Sequence, residues 1–200
     1  MNPWTPSPQE QYILRVIRLL QVWGDDDFRR FLWRHQTLVS AWQASRSGAW
    51  MLWLAQEHNG PRQPMVLAAA GCADLALARV KQGPLHVAVE TARQWAYGNV
   101  TEADVAAAHE AADEVYHRAC QANFRGLRIR SELQLEVAGT AACTTARFAL
   151  GQHVSACHRT VRAFGSAACA DVVRRYYPVA PELHGVGRLV QAEGAYVGRL

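Results

Sequence analysis

Apolar and polar residues recur along most of this chain with the period of an α-helix. The clearest run lies between residues 49 and 105. Trp50, Leu52, Trp53 and Leu54 cover one side of a helix and part of another, after Ser47 and before the stop-and-start signal Asn59-Gly60-Pro61. Met65, Val66, Ala69, Cys72, Ala73, Ala76 and Val80 then return at spacings of three and four, until Gly83-Pro84 breaks the pattern. Leu85, Ala88, Val89, Ala92, Trp95 and Ala96 form the next stripe, stopped by Gly98-Asn99. Thr101 and Asp104 make a capping box, with Asp for the usual Glu, that opens a helix reaching to about Asn123. Its inward stripe is Val105, Ala108, Ala112, Val115, Ala119 and Ala122.

The flanks follow the same rule. Ser7-Pro8-Gln9-Glu10 is a capping box with proline at the first helical position, and Tyr12, Ile13, Val16, Ile17, Leu19 and Leu20 give that helix its apolar face. Asp25, Asp26 and Asp27 favour the positive dipole end of a second helix, which carries Phe28, Phe31, Leu32, Trp33, Leu38, Val39 and Trp42. Beyond the central run, Leu127, Ile129, Leu133, Leu135 and Val137 alternate enough to leave a short strand open. The alanines that follow, Ala141, Ala142 and Ala146, favour a helix towards Leu150. One further helix is predicted from Gln152 to Tyr177, ended by Pro178 and Pro181, with a glycine-rich tail from Glu182 to Leu200. No repeat of fixed period appears. The expectation is therefore a single all-α domain over 1–200, a compact bundle or array of about seven to nine helices packed through alanine. Residues 1–46 supply aromatic-rich N-terminal helices, 47–164 the core, and 165–200 the C-terminal helix end and tail.

Half of the 200 residues are hydrophobic, enough for a core, yet no apolar run reaches the length needed to cross a bilayer. The N-terminus lacks a basic segment followed by an apolar one, so no secretory signal is expected and the chain reads as cytoplasmic. Five cysteines, at 72, 120, 143, 157 and 169, lie in apolar or alanine-rich segments with no disulfide spacing and are expected as reduced, buried thiols. Six of the seven tryptophans fall within the first 53 residues, where they can build a core or a sticky surface open to self-association.

Phosphate-binding glycine loops, nucleophile elbows, HExxH and CxxC motifs are all missing. No enzyme, cofactor or metal is expected on these grounds. His109, Asp113 and His117, at i, i+4 and i+8, share a helical stripe that could hold a divalent ion; a solvated polar face is the plainer reading. His153, Cys157 and His158 offer a second, weaker pair of ligands. The aspartates at 25–27 point in different directions and read as capping. Glu110 and Glu114 read as solvated surface.

The stretch 49–120 resembles the alanine-rich, all-helical immunity protein family of bacterial polymorphic toxin systems, and the likeness extends loosely to Phe164. It is carried by Trp50-Met51-Leu52-Trp53-Leu54-Ala55, by Leu67-Ala68-Ala69-Ala70-Gly71-Cys72-Ala73 with Leu75-Ala76-Leu77, and by Ala88-Val89-Glu90-Thr91-Ala92-Arg93 with Trp95-Ala96 and Gly98. The resemblance implies a small cytoplasmic, non-enzymatic inhibitor that binds a toxin or effector protein and occludes it. Such binding uses aromatic and arginine anchors, for which Arg29, Arg30, Trp33 and Arg34 are the candidates.

Charge supplies the alternative. The net charge is +4, and residues 119–200 carry ten basic against five acidic groups. Arg125, Arg128, Arg130, Arg159, Arg162, Arg174 and Arg175 could serve a nucleic-acid-binding or phage-conflict protein through phosphate contacts. The small net charge favours scattered solubilising charges instead.

Overall fold

The computed structural model describes residues 26–35, 37–57, 60–124, 130–154 and 158–178. Among them the chain is all-α, with nine helices and no strand. They are α1 (Asp26–Trp33), α2 (Leu38–Ala44), α3 (Gly48–Glu57), α4 (Arg62–Leu77), α5 (Gly83–Ala96), α6 (Glu102–Phe124), α7 (Arg130–Ala149), α8 (His158–Phe164) and α9 (Ala167–Tyr176). The helix expected from Ser7 and the tail from Glu182 lie outside the described residues.

The stripes at the centre of the sequence become α3 to α6 nearly as their punctuation requires. Gly98 ends α5 with φ +78°. Thr101 and Asp104 form the expected box: Asp104 Oδ2 accepts from the Thr101 amide at 2.8 Å and from its hydroxyl at 2.7 Å, which holds the Asp104 carboxyl below its usual range. Described residues 130–137 are helical, so the strand alternative for that segment falls. The alanine-rich sequel imposes its own period on the short alternation before it.

Two expected helices are each divided. The run Phe28–Trp42 is split at Arg34 and His35 because Thr37 starts a new helix. The Thr37 hydroxyl accepts from the Ser40 amide at 3.1 Å, and Ser40 Oγ in turn accepts from the Thr37 amide at 3.3 Å. The run Gln152–Tyr177 is likewise two helices. Residues 151–154 are not helical, and Gly165-Ser166 separates α8 from α9, with Ser166 Oγ accepting from the Cys169 amide at 3.1 Å.

α4 and α7 occupy the middle. α4 packs against α3, α5, α7, α8 and α9, while α7 also meets α5, α6 and α8. Helix α3 is apolar almost all round, with Ala49, Met51, Leu52, Trp53, Leu54 and Ala55 buried, as befits a helix enclosed by others. Alanine fills the facing stripes: Ala68, Ala69, Ala70 and Ala73 on α4, Ala88 and Ala92 on α5, and Ala138, Ala141, Ala142 and Ala146 on α7 are buried. Small side chains bring helix axes close. At Gly139 α7 comes close to α6: a Cβ there would lie 3.0 Å from the Tyr116 Cβ.

The described aromatics of the N-terminal third are core. Phe28 is buried with its ring centroid 5.1 Å from Trp50 and 5.3 Å from Trp53, and Phe31 packs on Trp50 at 5.1 Å. Trp42 is buried edge-on to Tyr177, and its Nε1 donates to the Tyr177 carbonyl at 3.3 Å. Cys72, Cys120, Cys143 and Cys169 are buried free thiols; Cys157 lies outside the described residues.

Candidate functional site

Where α4 ends against α7 and α8, the surface opens into a groove of about 370 Å³. Its floor is Leu75 and Ala76 from α4 with Leu133 and Val137 from α7. Leu75 is 49% exposed, one of four large apolar side chains exposed among the described residues with Val87, Tyr97 and Tyr176. Arg79, just past α4, and Arg162, on α8, stand at the same groove. Both are exposed, and neither has an ion pair with a described carboxylate. An apolar floor edged by two such cations suits an apolar chain segment that also carries acid.

The groove was not legible in the sequence. Leu75 and Ala76 belong to the expected stripe region of α4, and Leu133 and Val137 to the alternation of α7, but nothing in their spacing says that they meet. The arginine-aromatic set expected to anchor a partner lies elsewhere. Arg30 is exposed and pairs with Asp27 at 2.8 Å, and Arg34 is exposed beyond the end of α1. The side chains of Arg29 and Trp33 lie outside the described residues.

The structure divides the seven C-terminal arginines. Arg159 donates to the Tyr116 hydroxyl and lies 3.8 Å from Glu136, so it ties α8 to α6 and α7. Arg174 is spent on backbone carbonyls and Asp171. Arg162 and Arg175 are exposed. Arg125, Arg128 and the side chain of Arg130 lie outside the described residues.

The histidine stripe on α6 acquires a partner that sequence spacing could not supply. Cys143 of α7 comes opposite it, and ligand atoms of His109, Asp113 and Cys143 all lie within 4.8 Å of one another. The Cys143 thiol faces Asp113 Oδ1 at 4.0 Å. Burial pushes that thiol up to about 12, with the Asp113 charge adding to the effect. His109 is half-buried, and loss of solvent lowers its pKa against the pull of Asp113. His117 turns back instead: its Nδ1 is 2.9 Å from the Asp113 carbonyl and 3.1 Å from Asp113 Oδ2. Both of those atoms accept, so Nδ1 carries the proton.

The second histidine pair is dispersed. His153 is outside any helix and bonds Glu57 Oε1 at 2.8 Å, while Cys157 and the side chain of His158 lie outside the described residues. Asp27 pairs with Arg30, as a helix-start carboxylate can. Glu110 and Glu114 are exposed. Cys72 is an inert buried thiol; its contact with Cys169 and its burial push its pKa up.

Comparison with protein-family models, curated proteins and solved structures finds no match to this chain. No helix among the described residues is long and apolar enough to cross a membrane.

Proposed function

We propose that this protein is a non-enzymatic binding module of the immunity type, a cytoplasmic inhibitor that neutralises a toxin or effector by occluding it. The observation that carries this reading is the groove between α4, α7 and α8, with its exposed Leu75 and its two cations free of described carboxylates. The motifs of residues 49–120, which make up α3, α4, α5 and most of α6, supply the family context. The occupant is an amphipathic segment of the target: apolar side chains fill the floor of Leu75, Ala76, Leu133 and Val137, and carboxylates meet Arg79 and Arg162. Binding an acidic segment over a toxin's working surface blocks it sterically, with no chemistry asked of the inhibitor.

The test is titration calorimetry of the purified chain against toxin-domain products of neighbouring genes. Arg79→Glu and Arg162→Glu are each expected to weaken binding at least about tenfold, since each places like charges at the contact. Arg30→Glu, on α1 and outside the groove lining, is expected to change affinity little. Binding by none of these neighbours argues against the inhibitor reading. Binding that ignores both groove reversals but falls with Arg30→Glu moves the contact to α1. Nucleic acid retained at low salt and lost as salt rises transfers the function to the C-terminal arginines.

A further inference from the structure

We propose that His109, Asp113 and Cys143 form a zinc site at the α6–α7 interface, with His117 as the residue that orients the Asp113 carboxylate. The site is independent of the groove and of any protein partner.

The geometry begins with spacing. His109 and Asp113 are one turn apart on α6 and so lie on one face. Cys143 faces them from α7, one turn beyond Gly139, where the absence of a side chain lets α7 approach Tyr116 of α6. Zinc bonds of about 2.0–2.3 Å put neighbouring ligands of a tetrahedral shell about 3.3–3.8 Å apart. The three donor atoms lie within 4.8 Å of one another, and the Cys143–Asp113 pair is already at 4.0 Å. Side-chain rotation of about 1 Å therefore closes the shell around an ion without moving the helices.

The donor set selects the metal. A thiolate, an imidazole and a carboxylate together suit zinc, whereas magnesium and calcium take oxygen ligands. On binding, a Zn–S bond replaces the S–H bond of Cys143 and the proton passes to solvent. The thiolate and the carboxylate then balance the two charges of the ion. Asp113 is divided for the purpose: Oδ1 faces the thiol, and Oδ2 accepts from His117 Nδ1 at 3.1 Å. An outer hydrogen bond of that kind is what orients a ligating carboxylate. Three protein ligands leave one position of the tetrahedron to solvent.

Arg147, one turn beyond Cys143, is the cation nearest to opposing the site. Its guanidinium is held by Gln152 Oε1 at 3.3 Å and by the His153 carbonyl at 3.1 Å. Without a metal the cluster gains little: the contact between Cys143 and Asp113 is long, and the Arg147 charge only partly offsets the burial and the Asp113 charge that keep the thiol protonated.

Cobalt(II) reads the thiolate directly. The reduced chain, purified without a histidine tag and freed of metal by a chelator, is titrated with Co²⁺. One equivalent is expected to bind with a near-ultraviolet sulfur-to-cobalt charge-transfer band and the strong visible bands of tetrahedral cobalt, both removed by Zn²⁺. Cys143→Ser removes the charge-transfer band. His109→Gln weakens binding at least tenfold, His117→Ala about tenfold or more, and Cys72→Ala leaves the band as it was. Circular dichroism establishes that each variant is folded; if Cys143→Ser is not, His109→Gln decides, because His109 is only half-buried. No band in the folded parent protein overturns the proposal, as does a band and affinity unchanged by His109→Gln, or a band that survives in folded Cys143→Ser.

Discussion

Gly48, the first residue of α3, decides how closely three helices meet. A Cβ there would lie 2.6 Å from the Cys169 Cβ, 2.8 Å from the Cys169 carbonyl carbon and 2.9 Å from the Phe164 carbonyl oxygen. Two of these are backbone atoms, which cannot swing aside. Gly48→Ala is therefore expected to destabilise the fold by about 1–3 kcal/mol through overpacking. Gly83→Ala, at the start of α5 where nothing lies within 4 Å, is expected to be neutral or to stabilise by up to about 1 kcal/mol. Denaturant melts of the two variants check this; equal midpoints would remove the argument. Neither role is visible in sequence. Both glycines begin helices, and only the neighbours brought by the fold tell them apart.

At the scale of elements, one side chain joins helices far apart in the chain. Arg174 on α9 donates from one nitrogen to the carbonyls of Trp42 (3.3 Å), Gln43 (3.0 Å) and Ser45, at the C-terminal end of α2. Carbonyls at a helix end lack intrahelical partners, and the dipole there favours a cation. The other nitrogen of the guanidinium holds Asp171 at 3.1 Å. Arg174 and Arg175 are adjacent in sequence and share the last turn of α9. The structure separates them: Arg174→Met is expected to cost about 2–3 kcal/mol, as charge-assisted hydrogen bonds are lost and carbonyls left unpaired, while exposed Arg175→Met stays within about 0.5 kcal/mol. Urea midpoints at fixed m-value are the measurement, and indistinguishable variants would show that the clamp contributes nothing. The divided helices have the same origin. Thr37 with Ser40, and Gly165 with Ser166, are legible as caps once the break is known. The apolar spacing on either side of each break carries through it, so periodicity alone joined them.

Across the whole molecule, the described helices share one continuous core, from Phe28 and Leu32 of α1 to Val173 of α9 and Tyr177. Such a core predicts a single cooperative transition. Tryptophan fluorescence, dominated by the N-terminal third, and far-ultraviolet circular dichroism, which reports helix everywhere, are expected to give coincident thermal midpoints. Separated transitions would mean that the aromatic N-terminal helices fold as a unit of their own.

The all-α class, the helices of the central stretch and the inward stripes of α4 to α7 were determined by the sequence, because period, caps and glycine or proline stops are local properties of a few adjacent residues. So was the placing of His109, Asp113 and His117 on one face; the N-terminal aromatics could be core or surface by sequence, and it is the fold that buries Phe28, Trp42 and Trp53. What only the tertiary structure decided are the meetings between distant segments. Leu75 comes to face Leu133 and Val137 beside Arg79 and Arg162, Cys143 is added to His109 and Asp113 while His117 is turned away, and Arg174 closes the end of α2. Each depends on how alanine and glycine let particular helix faces approach, and that is set by the packing of all the helices together rather than by the period of any one.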